Sequence, residues 1–83
     1  MMKLTFTNQD GTRRYEGETK YDCLVTMAEV LQGSLFVNCL EANFEFVREE
    51  VSPMVSDEEI TVRVFETLAK MLDYKVEWEG EEE

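Results

Sequence analysis

Apolar and polar residues alternate strictly at the start of the chain. Leu4 and Phe6 project to one side, and Lys3, Thr5 and Thr7 to the other. A period of two predicts a half-buried strand. Asp10-Gly11 follows, and it signals a turn because glycine tolerates positive φ. A return strand is expected over residues 12–16, with Tyr15 inward and an end near Gly17. The period then changes to three and four. Tyr21, Leu24, Val25, Ala28 and Leu31, with Met27 beside them, predict a helix over about residues 20–32. Thr19 is its candidate cap, Asp22 suits the dipole of its first turn, and Gly33 is its stop.

Residues 34–51 fit two patterns. As a helix capped by Ser34, they carry Phe36, Val37, Leu40, Phe44, Val47 and Val51 on one face. Glu41, Glu45 and Glu49 then lie on the opposite side, with Arg48 between them and placed to offset Glu45. As strands, 35–40 and 44–48 form a hairpin around Glu41-Ala42-Asn43, and the composition of Leu35 to Leu40 suits that reading. The length of the apolar stripe favours the helix.

Ser52-Pro53 breaks the chain, because the residue before proline avoids the helical region. Ser56 and Glu59 form a capping box. The helix they open is expected to reach about residue 72, burying Ile60, Val64, Leu68, Met71 and Leu72. Asp57, Glu58 and Glu59 suit its start, and Lys70 its end. Tyr74, Val76 and Trp78 alternate with Lys75, Glu77 and Glu79, which predicts a last strand. Residues 80–83 read as a frayed acidic tail.

These elements predict a single α+β domain over residues 1–83. The N-terminal hairpin and the C-terminal strand form a three-stranded antiparallel sheet, with two or three helices packed on one face. Leu4, Phe6, Tyr15, Val76 and Trp78 are the sheet's expected contribution to the core. Tyr74 belongs with them, and Met27, Met54 and Met71 are expected to fill gaps. Cys23 and Cys39 each sit among apolar residues and read as buried reduced thiols. A disulfide between them depends on a separation that sequence does not supply.

Charge changes the picture most. The chain carries 19 Asp and Glu against 8 Lys and Arg, a net charge of −11. Residues 41–83 hold 14 of the acids and only Arg48, Arg63, Lys70 and Lys75 as bases. Such a surface repels nucleic acid and anionic membranes and attracts basic ones. Direct nucleic-acid binding needs a basic patch, and Arg13-Arg14 is too small to serve as one. No apolar run approaches the ~18 residues of a membrane span, and the N-terminus has no signal-peptide pattern, so a cytoplasmic protein is expected.

The catalytic inventory is thin. Histidine is absent, which removes the commonest general base, the usual zinc ligand and every Ser-His or Cys-His pair. There is no phosphate-binding glycine loop and no dinucleotide fingerprint. Asn8-Gln9-Asp10-Gly11 matches only the first positions of an EF-hand loop. Paired carboxylates could still do acid–base work, but nineteen acids produce such pairs by chance. No enzyme, metal or cofactor is expected.

The candidate site is therefore the acidic surface: Glu41, Glu45, Glu49, Glu50, Asp57, Glu58 and Glu59. Three glutamates at four-residue steps destabilise a helix by about 0.2–0.5 kcal/mol per pair. A merely solubilising face usually mixes signs, and the lysines that would do so are missing. Nucleic-acid mimicry meets a limit of density. Duplex DNA carries a charge per ~1.7 Å of axis. Glutamates four residues apart give one per ~6 Å. The expected function is inhibition by docking the acidic half on a basic, nucleic-acid-handling protein. In being short, acidic and free of motifs, the chain is similar to small phage-encoded anti-CRISPR and anti-restriction proteins. That likeness is one of profile and carries over no residues. The alternative is a small assembly subunit that forms a homodimer through an apolar helix face or an edge strand.

Overall fold

The computed structural model describes residues 1–81. β1 (Met2–Asn8) and β2 (Gly11–Gly17) form the hairpin, followed by α1 (Lys20–Val30), α2 (Leu35–Glu50), α3 (Asp57–Met71) and β3 (Lys75–Gly80). β1 is the central strand, antiparallel to both neighbours in the order β2-β1-β3. The fold is α+β, with helices on one face of the sheet. The ambiguous stretch is a helix: Ser34 accepts a hydrogen bond from the Val37 N–H, and Val37 and Leu40 are buried.

Register explains the core. Leu4 pairs with Tyr15 on one side and Trp78 on the other, and Phe6 pairs with Val76. Met2, Leu4, Phe6 and Tyr15 are buried under the helices; Val76 and Trp78, on the edge strand, are half-buried. From the helices come Cys23, Leu24, Met27, Leu40, Ile60, Val64, Phe65 and Ala69. α2 reaches this core through Phe36, whose ring lies 5.3 Å from that of Phe6 and 5.7 Å from that of Tyr74. Trp78 closes the edge. Its ring meets Phe65 at 6.1 Å, its indole N–H donates to Glu66, and the Lys20 ammonium lies over it at 5.3 Å.

Gly11 has φ of 119°, which the turn after Asp10 requires. The Asp10 N–H also donates to Asn8 Oδ1 at 2.8 Å and tightens that turn. Gly17 serves a different need. A Cβ there would lie 2.6 Å from the Cys23 nitrogen, so its lack of a side chain lets β2 approach the start of α1.

Several expected core positions are exposed instead. Met71 is 77% exposed and Leu72 46%. The buried stripe of α3 runs through Ile60, Val64, Phe65 and Ala69, whereas Met71 lies in the last turn and Leu72 is the C-cap. Met54 follows Pro53 in an exposed turn and is 92% exposed. α1 ends at Val30, two residues early, where the Leu31 N–H closes onto Met27 O. Cys23 is buried and free, while Cys39 is free but only half-buried. Part of the expected acidic tail, Glu82 and Glu83, falls outside the described residues. Among those described, no helix is long and apolar enough to cross a membrane.

Candidate functional site

The three helices meet along a groove of about 420 Å³. α1 contributes Tyr21, Leu24, Val25 and Ala28, at the three- and four-residue steps that place side chains on one helical face. α2 contributes Val37, Leu40 and Phe44 by the same spacing. These seven residues give the groove its largely apolar wall. Glu41 and Glu45 from α2 and Asp57 and Thr61 from α3 complete it. Three of the seven expected site carboxylates thus share one apolar groove.

The others are distributed around it. Glu58 and Glu59 line an adjoining cleft with Glu66, Lys20 and Tyr21, and Tyr21 borders both depressions. Glu49 and Glu50 are exposed in the last turn of α2 and line neither. Glu50 stands nine residues from Glu41, which at 3.6 residues per turn is about half a turn around the helix. It therefore faces away from the groove. The seven acids do not form one continuous face.

Compensation by cations is uneven. Asp57 pairs with Arg48 at 2.9 Å, and Glu59 with Arg63 at 2.8 Å. Arg48 is not a partner of Glu45, as its position on the helix had suggested. Its guanidinium turns into the 51–57 connection, donating to Ser52 O at 2.6 Å and Val55 O at 2.7 Å. Among the described residues, Glu41, Glu45, Glu49, Glu50 and Glu58 have no salt bridge.

The open face of the sheet is the internal comparison. There Lys3 stands between Glu16 and Glu79, and Thr5 between Arg14 and Glu77. Lys3 lies 4.0 Å from Glu16, and Lys75 3.4 Å from Glu77. Signs alternate on that face, as a solvated surface requires. On the groove rim they do not. Charge pattern alone could not reveal the groove, because its apolar wall exists only once three helices pack.

Chemically, the groove can accept an apolar side chain while Glu41 and Glu45 meet a cation beside it. This is the helix-in-groove mode of peptide recognition with an acidic border. Among the described residues, no group of three His, Cys, Asp or Glu is arranged to hold a metal ion. Cys23 lies in the core and does not line the groove. Burial, then the carboxylates of Asp22 and Glu16, push its thiol up.

The molecule is thus a small acidic α+β domain with an acid-rimmed apolar groove. No protein-family model matches the chain, and neither a curated protein nor a solved structure does.

Proposed function

We propose that this protein acts by binding, docking its α1–α2–α3 groove on a basic protein surface of the kind that handles nucleic acid. The observation that carries this reading is the pairing of an apolar wall with two rim carboxylates, Glu41 and Glu45, that no described cation neutralises. The partner segment presents an apolar residue to the groove and lysine or arginine to its rim. Occupation of a basic surface would block whatever that surface normally holds, which makes inhibition the natural consequence. Broad duplex mimicry is the less favoured form, because Glu50 faces away and Asp57 and Glu59 are already paired. Electrostatic steering would make association fast and dependent on salt.

A defined probe tests this: a synthetic helical peptide with leucines at three- and four-residue steps and lysines between them. The protein should bind it, more weakly as salt rises. The double variant Glu41→Lys, Glu45→Lys should lose roughly tenfold or more in affinity, as close charge pairs do. The double variant Glu50→Lys, Glu79→Lys changes net charge equally but leaves the groove alone, and it should lose much less. Equal losses in the two variants would mean that only net charge matters, and the groove reading would be wrong.

A further inference from the structure

The outward side of α2 carries a second apolar stripe. Leu35, Cys39, Ala42 and Phe46 follow one another at steps of four, three and four, the spacing of a seam between two helices. Leu35 is 79% exposed and Phe46 69%. Ala42 is also exposed, and Cys39 is half-buried. This stripe is separate from the inward one through Phe36, Val37, Leu40, Phe44 and Val47. It serves neither the core nor the groove. A phenylalanine so exposed in mid-helix leaves a large apolar surface in water.

We infer that the Leu35–Cys39–Ala42–Phe46 stripe is the contact surface for a second copy of this chain, joined as an antiparallel pair of α2 helices. The stripe is its own complement. A two-fold axis between Cys39 and Ala42 sets Leu35 against Phe46 of the partner subunit, and Cys39 against Ala42 of the partner subunit. Each contact occurs twice, as two-fold symmetry demands. The small residues fall at the centre, where helices must come close, and the large ones close the two ends.

Charge selects the same direction. In the antiparallel register Glu45 flanks the seam opposite Asn38 of the partner subunit, an uncharged side chain whose amide can donate to it. A parallel pair would instead bring Glu45 beside Glu50 of the partner subunit. Two bodies of net charge −11 still repel each other at long range. Salt therefore strengthens this contact, the opposite of its effect on docking to a basic surface. The seam is a row of four side chains from Leu35 to Phe46, about 17 Å of helix. A standard interface uses roughly 20–30 residues a side, so the dimer is weak and concentration-dependent. The seam lies to one side of the groove, and the proposal does not depend on what the groove binds.

Sedimentation equilibrium over a wide range of protein concentration is the test, run at low and high ionic strength. The wild-type chain should pass from monomer to dimer, roughly tenfold more tightly at high salt. Phe46→Glu alters an exposed side chain, so the fold should persist by circular dichroism while the dimer is lost. Asn38→Lys should strengthen the dimer through Glu45, and by more than Gln9→Lys, which adds the same charge at the remote hairpin turn. Alkylation of Cys39 should slow as wild-type concentration rises and not in Phe46→Glu. A wild-type monomer throughout, or a Phe46→Glu variant that dimerises as the wild type does, would overturn the proposal. Equal effects of Asn38→Lys and Gln9→Lys would overturn its antiparallel register.

Discussion

The Arg48 guanidinium lies 2.9 Å from the Asp57 carboxylate and ties the end of α2 to the start of α3. The ion pair is the lesser part of this tie. Arg48 also donates to the carbonyls of Ser52 and Val55, and its side chain is 24% exposed against 67% for Asp57. Arg48→Met removes the side-chain donor to the Val55 carbonyl and one of the two donors to the Ser52 carbonyl, and should cost about 1–3 kcal/mol. Asp57→Asn removes only the exposed charge partner and should cost less than about 1 kcal/mol. Urea denaturation of both variants measures the difference. Equal costs would show that the carbonyl contacts contribute nothing.

Gly17 should not tolerate a side chain. The Cβ of Gly17→Ala would lie 2.6 Å from both the Cys23 nitrogen and the Asp22 Cβ, so backbone must move. Overpacking of this kind costs about 1–3 kcal/mol. A melting temperature equal to that of the wild type would show that β2 and α1 separate freely.

Two helix caps can be compared directly. Ser34 accepts from the Val37 N–H and Ser56 from the Glu59 N–H, each at 3.2 Å. Ser34→Ala and Ser56→Ala should each cost about 1 kcal/mol, read by denaturant midpoint. The two changes lie on different helices and should add.

Much of the fold was legible because short-range signals agreed with one another. Asp10-Gly11, the strict alternation of β1 and the Ser56–Glu59 box each specify their element locally. α2 was ambiguous because Leu35 to Leu40 suits a strand, and only the stripe extending to Val51 decides for a helix. Arg48 was misassigned for a related reason. Its partner lies nine residues away across a turn, where helical spacing gives no guidance. Met54, Met71 and Leu72 are apolar by type, but a turn or a helix end leaves them uncovered. The candidate acids were visible as a list. Which of them share a groove depends on three helices packing, and the outward stripe of α2 is masked by the inward-facing Phe36, Val37, Leu40 and Phe44 interleaved with it.

Cys23 gives stability a pH dependence with a fixed sign. Its folded-state thiol is raised above the ordinary value of 9.0, first by burial and then by Asp22 and Glu16. The unfolded chain therefore gives up this proton at lower pH than the folded one. The contribution is fully present below the ordinary thiol value and is lost as pH rises through the folded one. Wild-type stability should fall more steeply than that of Cys23→Ala above pH 9.0, and parallel curves would contradict the assignment. In thiol labelling of the folded protein, half-buried Cys39 should react first and Cys23 only on unfolding.

The binding account is tested most directly by amide shift mapping during titration with the leucine–lysine peptide. The account predicts shifts concentrated at Tyr21, Val25, Ala28, Leu40, Glu41 and Phe44, which fade as salt is added. Shifts centred on Glu77 and Glu79 of the open sheet face, or spread evenly over every exposed acid, would contradict it.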